Sequence, residues 1–473
     1  MVFSSLYFVY LFLAVVFLAY FTRKNVKQKN IVLVIASLVF YAWGEPIWVF
    51  LLVFSSFINW FFALQIGKNK GKPAAKIFTG SAIAIDVLFL IIFKYTGFIV
   101  ENHNMFFHAN VPVPQIVMPI GISFFTFQAI SYIMDCYWET VAPQKSWFKF
   151  LLYLSLFPQL VAGPIVRYSV IEKEIDNRRA DANDISEGIM RAILGLSKKV
   201  IVANSLYAVV EQFFGSDITD LSFCGTWYTV ILYSLYVYFD FSGYSDIAIG
   251  LGRMFGFHFD ENFKYPFICK TISEFWQRWH ISLSSFFRDY LFYMPIFGRP
   301  RKYINLFLVW FCTGLWHGAS WNFIFWGLYF GIFIFIETKI GKKRMKKWNK
   351  VLTHIYSKII IIIGFGIFYF TDLSQLGRFF LNISGISMLS NGNAFSDILT
   401  WNSLLNNLFL IIFAIIVSMP VLPKIKHFFN EWGNNTVYAF GKISATVICC
   451  ALLIISSILL VDNTNNPFLY FRF

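Results

Sequence analysis

Long apolar segments recur along the chain from residue 5 to residue 461, separated by short polar stretches that are mostly basic. They lie near residues 1–21, 31–43, 47–66, 77–99, 117–137, 200–214, 225–251, 304–337, 353–370, 404–422 and 443–461. Since about 20 apolar residues cross a bilayer as a helix, the run 304–337 suits two crossings. The pattern predicts an all-α polytopic membrane protein with about twelve transmembrane helices.

Two stretches depart from this pattern. Residues 253–303 alternate aromatic residues with eight basic ones, so they are too basic to cross the bilayer simply. We expect a cytoplasmic segment of re-entrant or interfacial helices there. Residues 148–166 are apolar but short, which suits a hairpin or a surface helix.

Basic residues predict the orientation of the chain. Lys and Arg are concentrated between residues 23 and 29, 68 and 76, and 167 and 199, whereas residues 101–115 have none. Basic loops stay cytoplasmic, so both termini are expected on the extracytoplasmic side of the membrane. The first apolar run has its basic residues after it and lacks a small-residue cleavage site, which favours a retained span over a signal peptide.

The amino-acid composition narrows the class of protein to which this chain can belong. With 58% hydrophobic residues, 14% charged residues and a mean hydropathy of +0.62, the chain is too apolar for a soluble protein. No long polar linker interrupts residues 1–473, so we expect a single integral membrane domain ending in an aromatic tail, residues 462–473. The net charge of +14 lies in loops, which favours membrane topology over nucleic-acid binding. The six cysteines lack metal-ligand spacing, so no metal site is expected.

His317 is the leading catalytic candidate, because it is an ionisable group inside an apolar run. It lies in the string Trp316-His317-Gly318, where Gly314 and Gly318 allow close helix approach or a bend. A neutral imidazole in a water-lined tunnel can take a proton from an attacking hydroxyl, since an unperturbed imidazole has a pKa of about 6.5. A histidine with the purely structural role of a hydrogen bond between two helices is equally compatible with this string.

A second candidate, His280, lies in the string Glu274 to Ser284, which Arg288-Asp289-Tyr290-Leu291 follows. On one helix, Glu274 would pair with Arg278, and Trp276 with His280, at a spacing of four residues. A salt-bridged interfacial helix explains this string equally. The functional interpretation places His280 and the basic residues at the mouth of a cytoplasmic funnel that attracts an anionic donor.

The remaining candidate functional residues are two acidic residues within one apolar span and a tyrosine in the C-terminal tail. Asp240 and Asp246 lie in the string Tyr238 to Asp246, where Ser242 and Asp246 share a helix face and Asp240 faces elsewhere. A polar network between helices explains them better than catalysis, although an ion pathway would use similar residues. The tail Asn466 to Phe473 suits an interface anchor, yet its tether is short enough for Tyr470 to fold back toward a catalytic histidine.

Together these strings resemble the membrane-bound O-acyltransferase family, in its bacterial branch that acetylates alginate and peptidoglycan. Further matching strings are Phe127 to Tyr132 and Phe157 to Ile165. The resemblance covers about residues 1–340 and resumes in the tail. One departure is the segment Met294 to Pro300, which lacks the second glycine and the asparagine of the turn usual in this branch.

The resemblance implies helices around a central tunnel, with His317 as the catalytic histidine and His280 as a catalytic or donor-binding partner. Tyr470 matches a tail tyrosine proposed to carry the acyl group. The residues expected to line or support the tunnel are Trp316, Asp240, Ser242, Asp246, Trp276, Arg278, Arg288, Asp289 and Asn322.

The resemblance also implies a reaction. The donor is expected to be acetyl-CoA, used as a substrate with no bound cofactor, and the acceptor an extracytoplasmic polysaccharide. The expected partner is an esterase-like acetyltransferase or accessory protein outside the membrane. Three alternatives stay open: D-alanyl transfer to teichoic acid from a carrier protein, a transporter or channel, and a scaffold that recruits a secreted enzyme.

Overall fold

The computed structural model describes residues 1–160, 163–295, 299, 301–421, 423–425, 427, 435–462 and 468. Every regular element among these residues is a helix, which confirms the all-α prediction. The chain divides into two compact units. The first contains Met1–Ala192, Tyr244–Glu261 and Phe468 of the tail, and the second contains Ile193–Gly243 and Asn262–Asp462.

The first unit begins with a π-helical turn and continues through helices that are mostly apolar. The helices that begin in it are Tyr7–Phe12, Leu13–Phe21, Val26–Ala42, Trp48–Lys68, Pro73–Leu90, Ile91–Tyr95, Thr96–Phe107, Ile122–Tyr137, Trp147–Ser155, Phe157–Leu160, Tyr168–Asn177 and Ala182–Ser197. Phenylalanines contribute to its core, where Phe3, Phe8 and Phe40 have ring centroids 4.8–5.7 Å apart and meet at tilted or edge-to-face angles. The Arg178 guanidinium is also buried in this unit and donates to Asn30 at 2.6 Å and to the Tyr20 hydroxyl at 2.9 Å.

The second unit holds the remaining helices. They are Lys198–Ala203, Asn204–Phe214, Phe223–Met254, Pro266–Ile268, Ile272–Trp276, Ile281–Phe287, Arg288–Phe292, Lys302–His317, Trp321–Ile340, Lys342–Met345, Lys350–Tyr369, Leu373–Ser384, Ile386–Ser390, Ile398–Asn406, Leu408–Val417 and Asn435–Asp462. The last residues of Phe223–Met254 belong to the first unit. The segment 253–303, expected to be re-entrant or interfacial, forms short helices, turns and irregular stretches over its described residues 262–295.

Six helices among the described residues are long and apolar enough to cross a membrane, and a seventh span results if the bent pair Ile398–Asn406 and Leu408–Val417 counts as one. The six are Val49–Lys68, Pro73–Phe107, Ala182–Phe214, Trp321–Ile340, Lys350–Tyr369 and Ala439–Val461. A polytopic membrane protein is therefore confirmed. The count of about twelve crossings stays a prediction, because other apolar segments form shorter or broken helices, such as Tyr7–Phe21.

Candidate active site

His317 is the last residue of the helix Lys302–His317, and the next helix begins at Trp321. The predicted bend between two apolar helices therefore lies directly after the histidine. The imidazole is buried and meets the rings of Trp326 and Phe368 edge to face, with centroids 4.8 and 5.2 Å away. A titratable ring is thus held among aromatic neighbours at the break between two helices.

Glycines allow the two helices of this hairpin to pack backbone to backbone. A Cβ atom at Gly314 would overlap the carbonyl oxygen of Phe323, and one at Gly327 would overlap the carbonyl oxygen of Trp310. Gly318 faces the Phe323 ring with no room for a methyl group. Small residues at a membrane-helix interface permit this approach, so the glycine prediction is confirmed. The close packing fixes where His317 and Trp326 can lie.

Trp316 lies between the two candidate histidines. Its buried indole is 5.0 Å from the His317 ring and 5.7 Å from the His280 ring, centroid to centroid, and meets both at steep angles. The structure thus brings together two histidines that are far apart in sequence. One indole separates the two imidazoles.

His280 precedes the short helix Ile281–Phe287 in a left-handed conformation with a φ of 43°. Such a φ is uncommon for a residue with a side chain, and at functional sites it marks a backbone held by its surroundings. The imidazole is buried, with the Phe241 ring 4.6 Å away. Burial lowers the pKa of His280, so its ring is neutral at pH 7.

The sequence expectation of one continuous helix through this string is wrong, because the helix Ile272–Trp276 ends four residues before His280. Trp276 and His280 are therefore not neighbours on a helix face. The predicted pair of Glu274 and Arg278 does form, at 3.0 Å, because the turn after Trp276 still brings these side chains together.

Trp276 lies instead in a cluster of aromatic rings with Trp310, Trp326 and Phe330, at centroid distances of 4.7, 5.5 and 5.1 Å. All four rings are buried. Within the described part of the chain, the indole N–H groups of Trp276 and Trp326 have no hydrogen-bond acceptor. Trp326 joins this cluster to His317. The cluster therefore presents buried donors beside the catalytic candidate.

Two buried polar side chains anchor these elements. The Glu337 carboxylate accepts from the backbone N–H groups of Ile272 and Ser273, at 2.6 and 2.8 Å, and so caps the helix that carries Trp276. The Asn322 amide donates to the carbonyl oxygens of Ile367 and Phe368, at 3.2 and 3.3 Å. Asn322 thereby fixes the end of Lys350–Tyr369, where Phe368 contacts His317.

The remaining supporting candidates have other partners. Asp240 forms a buried ion pair with Lys199 at 2.5 Å, as expected for a polar network between helices. The Ser242 hydroxyl is buried without a hydrogen-bond partner among the described residues. Asp246, in the first unit, pairs with Arg191 at 2.9 Å, and Arg191 also pairs with Glu261. Arg288 is largely exposed and pairs with its neighbour Asp289 at 2.7 Å.

The tail is described only at Phe468. This ring is buried in the first unit and contacts the Tyr244 ring at a centroid distance of 4.6 Å with a tilt of 30°, while Tyr244 stacks on Phe3 at the same distance. Tyr470 lies outside the described residues, as do Ile296 to Gly298 and Pro300 of the departing turn. No cluster of His, Cys, Asp and Glu that could hold a metal ion occurs among the residues that the structure describes.

The model of the membrane-bound O-acyltransferase family matches residues 124–374, which include both histidines and the aromatic cluster. This chain belongs to that family. It is therefore an O-acyltransferase, and the resemblance of its strings is confirmed.

Several curated relatives of this O-acyltransferase are similar over most of its length. The "Probable alginate O-acetylase AlgI" of Pseudomonas syringae is 36% identical over 80% of this chain and 74% of its own. The "Peptidoglycan O-acetyltransferase" of Helicobacter pylori is 32% identical over 100% of this chain and 98% of its own. The "Teichoic acid D-alanyltransferase" of Bacillus subtilis is 30% identical over 62% of this chain and 77% of its own.

Four residues of this O-acyltransferase site were not anticipated from the sequence: Asn262, Trp326, Glu337 and Phe368. Glu337 did carry a signal, because it is the only acidic residue of the apolar helix Trp321–Ile340. Asn262 carried none, since its role depends on residues that follow much later in the chain: its side-chain oxygen accepts from the Ser282 N–H at 3.1 Å and lies 3.3 Å from Nδ1 of His280.

Proposed function

We propose that this chain is a membrane O-acetyltransferase that takes acetyl from cytoplasmic acetyl-CoA and delivers it for O-acetylation of an extracytoplasmic cell-surface polysaccharide. The observation that carries the proposal is the burial of His317 at a helix break, one indole away from His280. A buried imidazole among aromatic rings suits proton transfer in a site that excludes water.

The names of the relatives support the acyl group and the acceptor class. Acetyl transfer is named for the relative that spans the whole of this chain and for those at 35–36% identity. The D-alanyltransferase relative matches a smaller part at lower identity. Alginate, peptidoglycan and other surface glycans all offer hydroxyl groups as acetyl acceptors.

In the proposed reaction His317 is the general base. It takes the proton of the acceptor hydroxyl while the oxygen attacks the thioester carbonyl carbon. The C–S bond then breaks, the ester forms, and the CoA thiolate leaves and takes up a proton. General-base catalysis of this kind contributes about 10²–10⁴-fold.

Tyr470 is the proposed first acceptor. Phe468, two residues earlier, is buried, which supports a tail tyrosine that also packs inside the protein. The acetyl-tyrosine would be an aryl ester, which is reactive enough to pass acetyl onward because a phenol with a pKa of about 10 is a good leaving group. An extracytoplasmic esterase-like transferase would accept the acetyl group and place it on the polysaccharide.

The donor side is proposed to face the cytoplasm, in an inner membrane with both chain termini outside. The segment 253–303 would form the rim of the donor entrance. There Arg288 is exposed and Arg278 is half-buried, and each would exchange its carboxylate partner, Asp289 or Glu274, for a phosphate of CoA. This rim would also suit a carrier-protein donor.

The test uses purified protein in detergent with acetyl-CoA that carries a radiolabelled acetyl group. Samples are quenched in denaturant, and the label retained on the chain is counted for the wild type, His317→Ala and Tyr470→Phe. We expect label on the wild type only. Label on Tyr470→Phe but not on His317→Ala would keep the enzyme and reject the tail as carrier.

A wild type that transfers nothing from acetyl-CoA, even with a working partner and glycan supplied, would contradict the proposal. A parallel sample with a D-alanyl carrier protein identifies that alternative, since label would then come from the carrier alone. Acetyl transfer that continues in His317→Ala would favour the transporter interpretation instead.

A further inference from the structure

Two lysines meet at the open end of the hairpin whose closed end holds His317. Lys302 begins one of its two helices, and Lys339 lies next to the last residue of the other. Both ammonium groups lie over the ring of Tyr303, with Nζ atoms 5.7 and 4.5 Å from its centroid. The same ring contacts Phe335 of the second helix edge to face at 5.2 Å. One aromatic ring therefore gathers two positive charges from two helices.

No carboxylate neutralises these two charges in the part of the chain that the structure describes. Between residues 290 and 371 the sequence has a single acidic residue, Glu337. Its carboxylate is buried and accepts hydrogen bonds from the backbone of another segment. Lys302 and Lys339 are both exposed. Like charges on one ring repel each other, and an anion bound beside them would remove that repulsion.

The turn that follows adds further positive charge. After Gly341, which has a φ of 84°, the short helix Lys342–Met345 leads to the next apolar helix at Lys350. Met345 is the one buried residue of 342–350. The exposed basic residues of this turn are Lys342, Lys343, Arg344, Lys346, Lys347 and Lys350. Basic clusters directly beside a membrane span attract anionic lipids.

The position of the two lysines favours a lipid over a soluble anion. The helix Trp321–Ile340 is long and apolar enough to cross a membrane, so Lys339, one residue before its end, lies at the membrane surface. Ile332 and Ile336 share a face of this helix with Lys339, and both are exposed. Positive charge above an exposed apolar face suits an amphiphile, in which a phosphate is joined to acyl chains.

We propose that Lys302, Lys339 and Tyr303 form a binding site for the headgroup of an anionic phospholipid. The phosphate lies beside the two ammonium groups, and the acyl chains follow the apolar face next to them. The basic turn raises the local concentration of anionic lipid. The bound lipid joins the open ends of the two helices that carry His317 between them. The lipid site is independent of the donor and the acceptor of the reaction.

The experiment titrates the purified protein in detergent with dioleoylphosphatidylglycerol or dioleoylphosphatidylcholine, and native mass spectrometry counts the lipids retained on the protein. The two lipids share their acyl chains, but only phosphatidylglycerol has a net negative charge. We expect the wild type to prefer phosphatidylglycerol by about thirtyfold, which corresponds to about 1 kcal/mol for each of the two lysines. Equal affinity for the two lipids would overturn the proposal.

Variants locate the preference. Lys302→Gln combined with Lys339→Gln removes both cations, and we expect the preference to fall below about threefold. Both positions are exposed, and the phosphatidylcholine titration of the same sample reports whether the protein still binds lipid. Lys72→Gln combined with Lys76→Gln is the matched control, because it removes two exposed lysines at the start of another apolar helix, Pro73–Leu90. This control is expected to keep the wild-type preference.

A thirtyfold preference that survives in the Lys302 and Lys339 double variant would overturn the site. A control variant that loses the preference to the same extent would also overturn it, because net charge alone would then account for the selectivity. Competition separates a lipid from a soluble anion. An excess of CoA or glycerophosphoglycerol, which carry phosphate without acyl chains, is expected to leave phosphatidylglycerol bound. Complete displacement by either compound would contradict the assignment to a lipid.

Discussion

His317 and His280 are both buried histidines of the second unit, but they are held in different ways. His317 ends a long helix and is fixed by ring contacts within a hairpin that glycines allow to close. His280 lies between two short helices in a left-handed backbone, where its imidazole contacts Asn262 at 3.3 Å as well as the rings of Phe241 and Trp316. The difference is in the backbone that carries each ring: two closely packed long helices position the candidate base, whereas an irregular segment positions the second histidine.

The largest expected effect comes from placing the same substitution at both histidines. A phenylalanine preserves ring packing at each position but removes the nitrogen atoms. We expect His317→Phe to lower kcat by about 10³-fold, because the proton acceptor is lost. His280→Phe is expected mainly to raise KM for acetyl-CoA, by about tenfold, with a smaller change in kcat. Steady-state release of the CoA thiol measures both, and equal kcat values would contradict the different roles.

A smaller effect is expected when the closure of the His317 hairpin is disturbed. The Cβ of Gly327→Ala meets the backbone of Trp310, which cannot move aside, so we expect a loss of about 1–3 kcal/mol of stability. Gly377→Ala is the matched control, because, apart from its own helical turn, no atom of the described residues lies within 4 Å of the added Cβ. Thermal unfolding in detergent checks both variants. A Gly327→Ala protein as stable as Gly377→Ala would mean that the helices do not pack this closely.

Variants of two glutamates, Glu337 and Glu274, test how much polar contacts contribute to the stability of this region. Glu337→Gln weakens the two hydrogen bonds that cap Ile272–Trp276, and charge-assisted bonds of this kind contribute about 1.5–3 kcal/mol. Glu274→Gln removes a half-exposed pair with Arg278, for which we expect about 0–1 kcal/mol. Unfolding curves of the two variants give the difference. A larger loss at Glu274 would show that Glu337 does not anchor the aromatic cluster.

The sequence predicted the position of His317 well, because the bend between two helices follows from an apolar run with central glycines. The pair of Glu274 and Arg278 also followed from spacing. The helix end at Trp276 did not, since no proline or glycine follows it among residues 277–280 to mark the end.

Tertiary contacts account for the rest of what the sequence left open. Glu337 acts on a helix 64–65 residues away, and Asn262 acts through a turn that the local pattern does not predict. The polar network around Asp240 was predicted, but its partner Lys199 was counted among basic loop residues instead. The role of Tyr470 stays a prediction.

The most direct test of the central claim is a single-turnover reaction with enzyme in excess over acetyl-CoA, which isolates the chemical step. The loss of thioester is followed for the wild type, for His317→Gln and for His103→Gln, a control at an exposed histidine. We expect His317→Gln to react at least about 10²-fold more slowly than the other two proteins. A His317→Gln protein that reacts at the wild-type rate would contradict the assignment of His317 as the base.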